Sequence, residues 1–235
     1  MGKIRRAQTA IRCLAAGTRL AATWYAAYVG CAWLRYGHPT PPSGDEVDSL
    51  LDQFMPNYEV VERHQTHVAA PAETTLAAAT EIGIRQVPIA GVLFKVRGFL
   101  LGGHPDEAAS PQGVLAWMKS LGWNELVEVP GREIVIGAVM QPWKASASPR
   151  LVPSAEFAEF REPGYVKIAT AFRADPAGAD ASMFRLESRA IATDRTSRTR
   201  FRLYWSLAAP SSVLIRMMAR GPIKREAERR AQGAA

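Results

Sequence analysis

The clearest pattern of apolar and polar positions lies between Ser182 and Leu207. Residues 182–194 alternate, with one side carrying Phe184, Leu186, Ser188, Ala190 and Ala192 and the other Arg185, Glu187, Arg189 and Ile191. Residues 198–207 alternate again, with Phe201, Leu203 and Trp205 opposed to Arg198, Arg200, Arg202 and Tyr204. A period of two is typical of a strand with one buried face. Because only a short polar link separates the two runs, the pattern predicts an antiparallel hairpin.

A helical period follows this hairpin. Pro210 suits the first turn of a helix, and the apolar positions Val213, Leu214, Met217 and Met218 have helical spacing. A helix with one apolar stripe next to a sheet with one apolar face favours packing of the helix across the sheet. We expect a kink or a break at Gly221-Pro222, because proline removes a backbone hydrogen bond from a helix.

The preceding part of the chain predicts further strands and helices. Strands are expected at 58–68, 125–129, 133–140, 155–160 and 166–172, and helices at 71–82 and 111–122. Residues 85–101 are apolar but interrupted by proline and glycine, which favours a short helix or an irregular lid, followed by a loop at 102–105. The predicted class is α+β, with a curved antiparallel sheet of about seven strands packed on a long C-terminal helix.

Residues 1–35 differ from the rest in composition. Within residues 20–34 the only polar side chain is Thr23, and Trp24, Tyr25, Tyr28 and Trp33 are typical of a membrane interface. Three interpretations stay open: a single span with a cytoplasmic N-terminus, a basic helix on the cytoplasmic membrane surface, or a helix packed on the domain. The first two predict membrane association through residues 1–35. The predicted boundaries are a linker at 36–53, a domain at 54–230 and a disordered tail at 231–235. One or two helical turns are expected at 45–54.

The charge of the chain is concentrated at its start. Residues 1–44 contain six basic and no acidic residues, which accounts for most of the net charge of +7. Residues 45–235 are nearly balanced, and this argues against a nucleic-acid partner, which would require a basic face on the folded domain. Both cysteines, Cys13 and Cys31, lie in the N-terminal segment, so the domain has neither a disulfide framework nor a cysteine metal site.

The order of elements resembles that of the START-like superfamily, also called the polyketide cyclase/dehydrase or SRPBCC fold. The resemblance covers about residues 54–230 and rests on segment order and on the run LESRAIATD, SRTRFRLYW and SSVLIR before the last helix. It is similar to a group of uncharacterised bacterial members. The resemblance implies a helix-grip fold with an apolar cavity under the C-terminal helix. It does not imply one function, because the superfamily hosts many functions.

The residue types suggest which side chains line such a cavity. The apolar candidates are Met140, Trp143, Met183, Phe184, Leu186, Phe201, Leu203, Trp205, Leu214, Met217 and Met218. Glu187, Arg189 and Arg202 are candidates for binding a polar head group if their face lines the cavity, and are ordinary cross-strand charge pairs if it faces outward.

Glu62 and His64 are the candidates for acid–base chemistry. They are two residues apart on a predicted strand and therefore share a face, whereas His67 lies on the opposite face. A solvated strand face explains the same residues. The sequence shows no nucleotide-binding or hydrolase motif, and it predicts no metal and no cofactor.

These observations leave three hypotheses for function. The first is a membrane-associated domain that binds an apolar small molecule or lipid under the C-terminal helix. The second is a cyclase or dehydrase that uses Glu62 and His64. The third is a structural or partner-binding domain with a filled core. The sequence is silent on the oligomeric state.

Overall fold

A computed structural model describes residues 2–83, 113–144 and 148–234, with the side chains of residues 2–15 and 234 left out. The helices are α1 (Gly2–Arg35), α2 (Ser49–Phe54), α3 (Ala72–Glu81), α4 (Val114–Ser120), α5 (Ser154–Phe157) and α6 (Arg195–Ala234), with a 3-10 turn at Gly44–Glu46. The strands are β1 (Val60–Val68), β2 (Asn124–Val129), β3 (Glu133–Met140), β4 (Val166–Pro176) and β5 (Ser182–Ala192). The lid and loop predicted at 85–105 lie outside the described residues.

The strands form one antiparallel sheet in the order β1-β5-β4-β3-β2. A long C-terminal helix packs on this sheet, which confirms the α+β class and the antiparallel arrangement. The described residues contain five strands, so the predicted number of about seven is wrong.

The first missing strand is the second arm of the predicted hairpin. Residues 198–207 belong to α6, which begins at Arg195 and not at Pro210. The Asp194 carboxylate accepts hydrogen bonds from the backbone N–H groups of Thr196 and Ser197, at 2.8 and 3.0 Å, and caps the helix. Phe201 and Trp205 are four residues apart and therefore also share a helical face. These apolar positions fit both a period of two and a helical period, and the capping contacts of Asp194 favour the helix.

Three further expectations differ from the structure. The strand predicted at 155–160 is the short helix α5, whose Phe157 is buried. α6 continues through Pro210 and Pro222 to Ala234, so no break occurs at Pro222, and the predicted tail is helical as far as Ala234. Buried Ile223 and Ala227 pack against the core just after Pro222, and this packing holds the helix in place beyond the proline.

Both faces of the sheet are covered. On one face, α3, α4 and α6 enclose a core that includes Phe172, Phe184 and Ile223. On the other face, α2 and α5 enclose a second core around Leu51, Val135 and Phe157. The alternation in β5 places Phe184 and Leu186 toward the long helix, as the sequence predicts. The helical turns expected at 45–54 are present as α2, whose Leu51 is fully buried.

α1 packs against the first half of α6. The Tyr25 hydroxyl donates a hydrogen bond to the Leu207 carbonyl at 2.8 Å, and the Arg202 guanidinium lies 4.2 Å from the Trp33 ring. At the junction, the Tyr36 and Phe201 rings meet edge to face. These contacts agree with the interpretation of α1 as a helix packed on the domain. Among the described residues, no helix has the length and apolar content that crossing a bilayer requires.

Candidate functional site

A row of polar side chains crosses the face of the sheet that α6 covers. Glu62 on β1 lies opposite Ser188 on β5, and Ser188 lies opposite Thr170 on β4. All three residues are at least 92% buried. Because side chains in register on neighbouring strands point to the same side, the three polar groups lie side by side under the helix.

Two side chains of α6, which packs on this face of the sheet, complete the row. Arg216 donates from Nη1 to Glu62 Oε2 and to Ser212 Oγ, and from Nη2 to Ser188 Oγ at 3.1 Å. The Ser188 and Thr170 hydroxyls are 2.8 Å apart. We call these five residues the polar row: Glu62, Thr170, Ser188, Ser212 and Arg216. It links three strands to the helix through one continuous hydrogen-bond network.

Burial shifts the pKa values of Glu62 and His64, which lie at one end of the polar row. Burial raises the pKa of the Glu62 carboxyl, although Arg216 and the Ser212 hydroxyl oppose the shift. Burial lowers the pKa of His64 to about 4, helped by the positive charges of Arg216 and Arg220. The imidazole is therefore neutral at pH 7, with one nitrogen able to donate and the other able to accept.

Two buried atoms at this end of the row have no hydrogen-bond partner in the described part of the chain. They are Glu62 Oε1 and His64 Nε2. A pocket of about 230 Å³ is lined by His64, with Leu186 and Arg220, and by charged side chains that include Arg63 and Glu187. Glu62 is not among its lining residues. Unpaired buried polar atoms cost free energy, and a ligand that supplies their partners recovers it.

Apolar side chains fill the interface on either side of the row. Toward the start of α6 lies an aromatic cluster that includes Phe201, Trp205 and Trp143. Toward its end, Phe172, Phe184 and Ile223 pack together. The described residues thus leave the polar row as a hydrophilic strip between two packed apolar regions.

The structure separates the apolar residues proposed from the sequence. Phe184, Leu186, Trp143, Phe201 and Trp205 lie at the sheet–helix interface. Met183 points to the opposite face of the sheet and lines another pocket. Leu203, Leu214 and Met217 are between 39% and 58% exposed, so they are not part of the buried interface. Met140 and Met218 are partly buried.

The polar head-group candidates do not form one site. Glu187 and Arg189 face away from α6 and form a buried ion network with Asp52 and Arg63. The Arg189 guanidinium is fully buried and lies 4.7 Å from the Tyr58 ring. Arg202 lies on α6 and not on a neighbouring strand; it donates to the Trp33 carbonyl.

Sequence reasoning identified Glu62 and His64 but missed Arg216 and Ser212, which bond to Glu62, and it missed Ser188 and Thr170, which complete the polar row. One signal was present, because the alternation already places Ser188 on the apolar side of β5. Ser212 and Arg216 are four residues apart, which marks a polar patch on one face of α6. The apolar stripe that the sequence predicts from Leu214 and Met217 does not face the sheet, because both side chains are exposed.

A second pocket, of about 690 Å³, lies on the other face of the sheet and includes Glu133 and Arg173. Burial, together with the negative charge and hydrogen bond of Asp48, raises the pKa of Glu133 to about 8. In the described ranges, no group of three histidine, cysteine or acidic residues is arranged to hold a metal ion.

Replacing Glu133 by glutamine is expected to flatten the pH dependence of stability. Between pH 4.5 and 8 the folded protein keeps a proton that the unfolded chain releases, so stability falls as the pH rises. We expect the free energy of unfolding of the native protein to fall by about 2 kcal/mol more than that of the variant between pH 5 and 8. Urea unfolding at both pH values measures this difference. Glu128→Gln on the exposed surface is the control, and equal slopes for Glu133→Gln and the native protein would contradict the prediction.

Comparisons with known proteins identify no family. No protein-family model matches the chain, and no curated protein matches it. The solved Zhui aromatase/cyclase from Streptomyces sp. R1128 is similar, with 13% identity, coverage of 75% of this chain and 98% of the other, and a TM-score of 0.30. A truncated norcoclaurine synthase from Thalictrum flavum has 11% identity, coverage of 68% and 91%, and a TM-score of 0.30. On TM-scores of this size no family is assigned, and the chain's own geometry carries the functional argument.

Proposed function

We propose that this domain binds an apolar small molecule or lipid that carries a hydroxyl group, at the His64 end of the polar row. The observation that carries the proposal is the pair of unpartnered buried atoms, Glu62 Oε1 and His64 Nε2. His64 also lines a pocket, together with the apolar side chain of Leu186. Binding sites for small molecules combine apolar walls with a few polar groups that fix orientation.

The chemistry of the two atoms favours a hydroxyl group. An ionised Glu62 only accepts hydrogen bonds, and its charge is already paired with Arg216. A hydroxyl donates to Glu62 and also accepts from or donates to the neutral His64 imidazole. A ligand carboxylate or phosphate would place a second negative charge next to Glu62, which is unfavourable.

The size of the pocket limits how much of the ligand it holds. Its volume of about 230 Å³ is below the roughly 300–1,000 Å³ of typical small-molecule sites. The pocket therefore accepts the polar end and a short apolar part, with Leu186 as an apolar wall. A longer ligand requires movement of α6 or of the side chains that fill the interface.

Two other functions have an observation in their favour. The neutral His64, on the same strand face as the buried Glu62, suits acid–base catalysis of the cyclase or dehydrase kind. The packed apolar regions on both sides of the row favour a structural or partner-binding domain. The binding proposal leads because packing alone provides no partner for Glu62 Oε1 and His64 Nε2.

Native mass spectrometry and organic extraction of the purified full-length protein test the binding proposal. We expect a bound apolar hydroxyl compound in the native protein and its loss in Glu62→Gln and His64→Ala. His67→Ala, at an exposed position on the opposite face of β1, is the matched control and should retain the compound. A native protein without such a compound, or His64→Ala with unchanged content, would count against binding.

We also infer that residues 1–35 attach the domain to a membrane. The support is the basic charge of this segment and its exposed aromatic side chains, since Trp24 is 76% exposed and Trp33 is 38% exposed. Attachment to the membrane surface is the form we propose. Cell fractionation tests it: the full-length protein should be in the membrane fraction and leave it after an alkaline or high-salt wash.

A further inference from the structure

α1 and α6 both leave large apolar side chains exposed. On α1, Leu20, Trp24 and Leu34 are 65%, 76% and 73% exposed; on α6, Leu207, Leu214 and Met217 are 51%, 39% and 48% exposed. Within each helix these positions fall near one stripe at helical spacing. Single exposed leucines are ordinary, whereas apolar stripes exposed on two neighbouring helices indicate an interaction surface.

The contacts between the helices hold α1 alongside α6: Tyr25 donates to the Leu207 carbonyl, and Trp33 contacts Arg202. Successive helix residues lie about 100° apart, so Trp24 and Leu34 point away from this contact face and stay exposed. The pairing of residue 25 with 207 and of 33 with 202 shows that the helices run antiparallel. Leu214 lies about 10 Å beyond Leu207 along α6 at the rise of an α-helix.

The charge of α1 and of residues 195–225 of α6 has only one sign, and Glu226 and Glu228 follow at the C-terminal end of α6. Residues 1–44 carry six basic residues, and residues 195–225 carry eight: Arg195, Arg198, Arg200, Arg202, Arg216, Arg220, Lys224 and Arg225. Neither stretch contains an aspartate or a glutamate. The remaining residues carry 15 basic and 22 acidic side chains, so the excess of basic charge is concentrated in these two stretches.

We propose that the exposed stripes of α1 and α6 form one docking surface for an anionic lipid bilayer, with both helices lying in the plane of the interface. This deepens, and rests on, the proposed membrane attachment of residues 1–35, and it adds α6 as the second contact. Leucine, methionine and tryptophan enter the boundary between head groups and acyl chains, while arginine side chains reach the anionic head groups.

The other candidate partners fit this surface less well. A nucleic acid matches the arginines but offers nothing to Leu207, Leu214 or Met217, since its outer surface is a phosphate backbone. A second copy of the chain would place two basic surfaces against each other, which opposes association. An anionic bilayer is the one partner that satisfies the apolar and the basic groups together.

Flotation of the full-length protein with vesicles tests the docking surface. We expect binding to phosphatidylcholine vesicles containing about 30% phosphatidylglycerol to be at least tenfold tighter than to phosphatidylcholine alone, and to weaken with salt. Leu207→Gln on α6 is expected to weaken binding about tenfold, because it removes one buried apolar side chain from the bilayer. Leu207→Met should retain binding, which separates lost apolar contact from a local change in α6.

A second variant separates the docking surface from the attachment by α1 alone. Leu20→Gln should weaken binding by a similar factor. If Leu20→Gln weakens binding and Leu207→Gln does not, the membrane attachment holds and the role proposed for α6 is wrong. If neither variant changes binding, or if neutral and anionic vesicles bind equally, the docking surface is overturned. Binding to a duplex oligonucleotide in preference to vesicles overturns it as well.

Discussion

Replacing Arg189 by methionine is expected to lower the free energy of unfolding by about 3–5 kcal/mol. The guanidinium is fully buried and donates to Glu187 Oε1 at 2.7 Å, to Asp52 and to the Met55 carbonyl. Methionine fills much of the same space but leaves the Glu187 carboxylate, which is 7% exposed, with only Arg63 as a charged partner. Urea unfolding monitored by tryptophan fluorescence measures the loss.

Two further variants show whether the buried charge is the cause. Arg200→Met replaces an exposed arginine of α6, and its effect should be within about 0.5 kcal/mol. The double variant Arg189→Met with Glu187→Leu removes both charges and should recover a large part of the loss, because a buried ion pair replaced by apolar groups is often close to neutral. A double variant as unstable as Arg189→Met alone would show that packing, and not charge, explains the effect.

Replacing Arg216 by methionine is expected to cost about 2–4 kcal/mol at pH 8 and clearly less at pH 5. Glu62 loses its cation, and burial then raises the pKa of this carboxyl further above its usual range. The folded variant keeps a proton on Glu62 that the unfolded chain releases above its ordinary pKa, so stability falls as the pH rises. Unfolding free energies at the two pH values give the difference.

Glu62→Gln in the Arg216→Met background is the control for this second prediction. Glutamine has no charge to pair, so the double variant should lose the extra pH dependence and regain part of the stability at pH 8. If Arg216→Met destabilises the protein equally at both pH values, the ion pair with Glu62 does not explain the role of Arg216.

The strands with strong alternation were predictable from the sequence. In β4 and β5, residues that face α6 alternate with residues that face the opposite side of the sheet. The residue types at these positions therefore indicate which face packs against the helix. The strand predicted at residues 198–207 was wrong because arginines at 198, 200 and 202 produce a period of two. Phe201 and Trp205 also fit a helical period. The capping contacts of Asp194 select the helix, and these depend on geometry rather than on the apolar pattern.

The candidate site was predictable only in part. Glu62 and His64 share a face by simple spacing, but their partner Arg216 is about 150 residues away, and only the packing of α6 on the sheet determines that it meets Glu62. The burial of Glu187 and Arg189 could not be foreseen either. It results from α2, a short helix in a stretch whose composition indicates a linker.

The positions of the two prolines in α6 have a consequence for access to the polar row. Pro210 and Pro222 donate no amide hydrogen to the carbonyl groups four residues earlier. Ser212 and Arg216 lie between them, so the segment over the polar row is bounded at each end by a gap in the helical hydrogen bonding. We expect α6 to bend most easily at these two positions, so small displacements of Ser212 and Arg216 from the row should not require the rest of the helix to unfold.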